Sequence, residues 1–237
     1  MLDLLKYELL KLKDLKRAKL LSGYFKTKKG EYAEGDVFLG LTVPILRKIA
    51  KKYKTLKLKD IRVLLKDKIH EYRLVGLFIL VDKFQRGDDV TKKKIAEFYL
   101  KNKNGINNWD LVDLSAPRIL GEYYFDKNKS IFYKLARSKN IWDKRIAVLS
   151  TFTFIKNNNF VDSLKIAEIL INDKHDLIHK AVGWMLREVG KKDLKTEEGF
   201  LKKYYKKMPR TMLRYAIEKF PQTKRNFYMV RSRGGGT

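Results

Sequence analysis

There is no cysteine among the 237 residues. Disulfide frameworks, thiolate nucleophiles and thiolate metal sites are therefore excluded. Histidine is nearly as scarce, with three copies. His70, His175 and His179 are too few and too scattered along the chain to suggest a metal centre, so no metal is expected; no organic cofactor is expected either. No apolar run approaches the roughly 20 residues of a membrane span. The start MLDLLKYELLKLKD also lacks the apolar core and cleavage site of a secretory signal, so a cytoplasmic protein is the expectation. No apolar–polar alternation is long enough to argue for a strand. Acids are in short supply too, with 27 against 54 Lys and Arg, a formal charge of +27. An excess of that sign and size points to a polyanionic partner, either a nucleic acid or an anionic membrane surface.

What the chain does have is apolar content at helical spacing. Hydrophobic residues make up 44% and aromatics 12%, enough for a sizeable core. Residues Leu2–Phe25 read as two helices with a break near Asp14. Lys26–Asp36 reads as a loop, with two glycines and no apolar period. A new helix then starts with Thr42 as N-cap and Pro44 in its first turn. From there the pattern repeats as an amphipathic first helix, a short polar break and a second helix. The second helices read HEYRLVGLFILVDKF, NNWDLVDLSAPRILGEYY, NIWDKRIAVLSTFTFIK, DLIHKAVGWMLREVGK and PRTMLRYAIEKF. Aligning Arg73, Asp113, Arg145, Lys180 and Met212 gives a period of roughly 32–40 residues, the range of HEAT-like units. The fold expected is all-α, a superhelical solenoid of tandem HEAT-like two-helix repeats with a concave basic groove. Gly76, Ala116 and Gly183 recur about one turn after the aligned position, where helices pack closely. Pro117 is expected to kink its helix or free a carbonyl. A single domain over residues 1–224 is expected, followed by a basic Gly-rich tail, 225–237, without order. No heptad seam is evident, so a monomer is expected.

The stretch NNWDLVDLSAPRILG places Trp109 four residues before Asp113, side by side on one helix face. Taken alone, such a pair is more often a buried aromatic and a solvated acid than a reactive site. The repeat alignment changes its surroundings. It lines the concave face with Trp109, Asp113, Arg145, Lys180, Trp184 and Arg187, the last helix contributing positions i, i+4 and i+7. Flat apolar groups, one acid and several cations in one groove suit a duplex backbone. Arg73, Arg210 and Arg214 are further candidates for contacting DNA, with ordinary solvated faces as the alternative. Trp142 has no matching role and reads as core. Asp110, in the first turn of its helix, reads as structural.

Five stretches in order carry a family resemblance: GEYAEGDVFLGLTVP, NNWDLVDLSAPRILG, IWDKRIAVLSTFTFIK, DLIHKAVGWMLREVGK and MPRTMLRYAIEKFP. Together they resemble the AlkD family of alkylpurine DNA glycosylases, a HEAT-like repeat fold, over most of the chain. The resemblance implies a groove for double-stranded DNA carrying alkylated bases. It implies Trp109, Asp113 and Trp184 at the damaged nucleotide, Arg145 near its phosphate, and glycosidic cleavage without flipping the base into a pocket. The residues suit that chemistry. An N3- or N7-alkylated purine is a cation that leaves as a neutral base, so charge develops on the deoxyribose. A carboxylate stabilises that oxocarbenium ion and orients water. Tryptophan faces favour a cationic centre by about 0.5–2 kcal/mol each, and arginine holds a phosphate with paired donors. The activity implied is that of a monofunctional alkylpurine DNA glycosylase with no obligate protein partner. The alternative is a non-catalytic HEAT-like module that grips structured DNA or RNA. A protein–protein scaffold is a weaker alternative that the charge disfavours.

Overall fold

The computed structural model describes residues 1–231. The described residues form fourteen α-helices joined by turns and loops. An isolated parallel bridge between Val37 and Ile69 is their one β feature. The chain divides into two compact units, Met1–Ser115 and the chain from Ala116 onward, where sequence reading expected one domain.

In the first unit, α1 (Leu2–Lys11) and α2 (Leu15–Tyr24) break where expected, because Asp14 caps α2 by accepting from the Arg17 N–H at 3.0 Å. The loop that follows runs to Thr42, the N-cap of α3 (Val43–Lys52), with Pro44 in its first turn. Helices α4 (Leu58–Leu65) and α5 (His70–Arg86) form the first of the repeated pairs, and α3 and α4 both pack on α5. Gly76 lets them approach, since a Cβ there would meet the Leu64 Cβ at 3.3 Å. Helix α6 (Asp89–Lys101), capped by Asp88, leads to α7 (Trp109–Ala116).

The second unit opens on a π-helical segment, Pro117–Gly121, where sequence reading expected a kink or a freed carbonyl. Proline brings no N–H to the ladder, and a wider turn is one way to absorb the missing bond. Its carbonyl accepts from the Thr153 hydroxyl at 2.7 Å. Three more pairs follow: α8 (Ser130–Ala136) with α9 (Ile141–Lys156), α10 (Val161–Ile169) with α11 (Asp176–Lys192), and α12 (Leu194–Tyr204) with α13 (Arg210–Ala216). Helix α11 packs on α9 and α13. Gly183 permits the second contact, because a Cβ there would lie 2.4 Å from the Met212 carbonyl oxygen.

The tail differs from expectation. Residues Gln222–Arg231 form α14, so the part of 225–237 that is described is helical. Three contacts hold it. Tyr228 is buried against Phe220 and Tyr205, the Arg210 Nη1 donates to the Met229 carbonyl at 2.7 Å, and Lys224 pairs with Glu198. The apolar residues inside that basic stretch were the available signal. The Gly-rich remainder lies outside the described residues.

One buried acid makes this fold sensitive to pH. Glu197 on α12 is 1% exposed, and its Oε1 has no hydrogen-bond partner. It lies in space that a Cβ at Gly190 would fill. Burial, helped by the neighbouring charge of Glu198, pushes its carboxyl up to about 8 against the opposing pull of Arg187. The folded protein therefore holds this proton more tightly than the unfolded chain. The associated stability is complete below pH about 4.5 and is lost as pH rises through about 8. The sum lost is on the order of several kcal/mol. The denaturation midpoint of the native chain is expected to fall between pH 5 and pH 9, and that of Glu197→Gln to fall much less. Parallel pH profiles for the two proteins would refute this.

Candidate functional site

Trp109 opens α7 and Asp113 lies one turn further on, both half-buried. Trp109 is fixed by neighbours far away in sequence. Its ring stacks on Phe25, with centroids 5.2 Å apart and planes 14° apart, and meets the edge of Tyr24 at 6.1 Å. Behind Asp113 lies the phenol of Tyr99, which shares a hydrogen bond of 2.9 Å with Ser115. Burial and, to a lesser degree, the charge of Asp113 raise the Tyr99 pKa, so that hydroxyl stays protonated.

Beneath the aromatics is a buried polar network. The Asp36 Oδ2 accepts from the Arg73 Nη2 at 2.6 Å and the Asn108 Nδ2 at 3.2 Å. His70 lies 3.4 Å from the same oxygen through Nδ1 and 2.8 Å from the Asp110 Oδ2 through Nε2. Burial works against a charged imidazole, yet the Asp110 and Asp36 carboxylates outweigh it and hold the His70 pKa above its ordinary value. Burial likewise opposes ionisation of Asp36, but His70 and Arg73 keep its pKa low. Next to this network the Glu71 carboxylate accepts from the backbone N–H groups of Leu39, Gly40 and Leu41 at 2.8–3.3 Å. The loop before α3 is thus latched to the start of α5.

This network corrects one expectation. Arg73 was counted among DNA-contacting cations, but it is 4% exposed and committed to Asp36 and the Asp67 carbonyl. Asp110 is structural as expected, through an ion pair with His70 in addition to its place in the first helical turn.

In the second unit, Trp142 is core, at 8% exposure. Arg145 on α9 is 5% exposed and donates through Nη1 to the Leu177 carbonyl at 2.7 Å. Lys180, Trp184 and Arg187 share a face of α11. Trp184 is half-buried, tilted against Phe152 at 5.9 Å, and its indole N–H donates to Glu188 at 3.1 Å. Lys180 pairs with Asp176 at 2.6 Å, and Arg187 pairs with Glu218. Arg210 is tied to α14, and Arg214 is exposed.

Sequence reasoning missed the supports: Phe25, Asp36, His70 and Glu71 around Trp109, and Glu188 beside Trp184. A signal existed for two of them. His70 and Glu71 open a helix that is buried for most of its length, and charge at such positions requires partners.

Comparison with known proteins gives this arrangement a context. The sequence profile described as DNA alkylation repair enzyme matches residues 5–220. Among solved structures, a predicted DNA alkylation repair enzyme from Enterococcus faecalis superposes with a TM-score of 0.71 at 19% identity, covering 89% of this chain and 97% of that one. AlkD2 from Streptococcus mutans superposes with a TM-score of 0.55 at 16% identity, covering 87% and 98%. At such identities these likenesses establish the all-helical fold alone. A search of curated proteins found no match. Matched along nearly its whole length, the chain belongs to the DNA alkylation repair enzyme family.

Proposed function

We propose that this protein is a DNA glycosylase that hydrolyses the N-glycosidic bond of cationic N3- or N7-alkylpurines in duplex DNA without moving the base into a pocket. The observation that carries the reading is the pair on α7: Asp113 half-buried one turn from Trp109, whose ring is held on Phe25. A fixed indole gives the sugar a flat apolar wall, and the carboxylate supplies negative potential beside it. As the C1′–N bond breaks, its electron pair leaves with the base, which departs neutral. Positive charge on the deoxyribose is stabilised by Asp113, water adds to C1′, and the water's proton passes to solvent. In the second unit Trp184 keeps a half-buried indole, with its N–H held by Glu188. Arg214 supplies a phosphate contact, and Lys180 supplies another when it leaves its ion pair with Asp176. Arg187 and Arg210 contribute less while engaged with Glu218 and the Met229 carbonyl. Arg145 reaches a phosphate only through the small part of it that is uncovered.

The test is release of free 7-methylguanine and 3-methyladenine from methylated duplex DNA. Release by the native chain supports the reading. No release, with salt-dependent duplex binding retained, replaces it with a non-catalytic nucleic-acid module. Duplex binding is itself expected to weaken by about 10-fold or more between 50 and 200 mM salt, because cations released from DNA drive association. A salt-independent affinity would remove the electrostatic role of the cationic surface.

A further inference from the structure

We infer that His70 is a positioning residue for Trp109, acting through the two residues that flank the tryptophan in sequence. The inference rests on the substrate-contacting role proposed for Trp109. Asn108, just before it, is tied to Asp36, and Asp110, just after it, is tied to His70. Asp36 and His70 are themselves paired, so both ends of the Trp109 peptide attach to one buried unit. The ring above is coupled to the same unit. Phe25 carries Trp109 on one side and lies 5.1 Å from the His70 ring, and Phe38 stacks on that ring at 4.6 Å.

The imidazole suits this place for three physical reasons. It is flat, so it fills a slot among aromatic rings. Its two nitrogens point in opposite directions, one toward Asp36 on the loop before α3 and the other toward Asp110 on α7. Protonated, it neutralises charge between two carboxylates where water is nearly absent, since His70 is 2% exposed. Arg73 is the other charged group against it, 3.4 Å from Nδ1, and its charge is taken up by Asp36. No aliphatic side chain would do these three things. A helix start defined only by backbone bonds frays within its first turn, and Trp109 is the first residue of α7. The tethers remove that freedom from the indole.

The experiment uses His70→Leu, His70→Gln and Asp110→Asn in the full chain with two readouts. Release from methylated duplex is timed in single turnover at saturating protein, alongside duplex affinity. The indole N–H resonance of Trp109, identified by its loss in Trp109→Phe, is followed in the free protein. His70→Leu is expected to slow release by about tenfold or more and leave affinity within about twofold. His70→Gln, which keeps a donor, should recover part of the rate. The Trp109 resonance should move in all three variants, and the double variant His70→Leu/Asp110→Asn should lose little beyond either single change. An unmoved resonance, or losses that multiply, would overturn the inference. Should His70→Leu fail to fold, Asp110→Asn carries both readouts. If the native chain releases no base, the proposed function fails, while the resonance still decides whether His70 positions Trp109.

Discussion

Asp113→Asn is expected to slow base release by about 10²–10³-fold while duplex affinity stays within about twofold. The two side chains have nearly the same size, so packing against α7 survives and only the charge is removed. An alkylated purine carries its positive charge before the bond breaks. A neutral carboxamide therefore costs little in the ground state and much in the transition state, when charge has moved onto the sugar. Tyr99, whose phenol stays protonated behind Asp113, does not replace the lost charge. Trp109→Ala is expected to slow release as well but to weaken binding of damaged DNA in addition, because it removes surface contact. The diagnostic is the ratio between rate and affinity. Equal release by Asp113→Asn and the native chain would remove the carboxylate from the mechanism.

Glu71→Ala is expected to cost about 3–5 kcal/mol of folding stability. The side chain is 2% exposed and receives the N–H groups of three consecutive residues, Leu39 to Leu41. Removing it leaves those buried donors without partners and opens a cavity. For a chain of this size the midpoint should fall by roughly 10 °C. Glu71→Gln keeps one acceptor but turns an amide toward the N–H groups, so an intermediate loss is expected. Urea denaturation of the three proteins measures the series. A loss below about 1 kcal/mol for Glu71→Ala, the scale of an ordinary exposed cap, would show that the loop holds without its latch. This loop also carries Asp36 and Phe38, which support the network under Trp109.

Local pattern told more about elements than about partners. The break at Asp14, the start at Thr42 and each repeated second helix follow from apolar period and capping chemistry, which act within a few residues. The pair Trp109–Asp113 was legible for the same reason, since one helical turn is a local relation. Arg73 was misread because its side chain aligned with groove positions, while its partner Asp36 lies 37 residues earlier in a loop. The described part of the tail, up to residue 231, was misread because charge and glycine dominated the composition of the whole. Tyr228, buried against aromatics from earlier in the chain, docks a helix there together with Arg210 and Lys224.

By itself, the sequence determined the helical repeat, the cationic surface and the types of side chain available for chemistry, because period, composition and net charge are properties of the chain before it folds. The tertiary structure decided which of those groups are spent on holding the fold. Desolvation forces every buried charge to find a partner, and those partners come from distant segments. Arg73, His70 and Glu71 went to the interior of the first unit, whereas Trp109 and Asp113 kept part of their surface exposed.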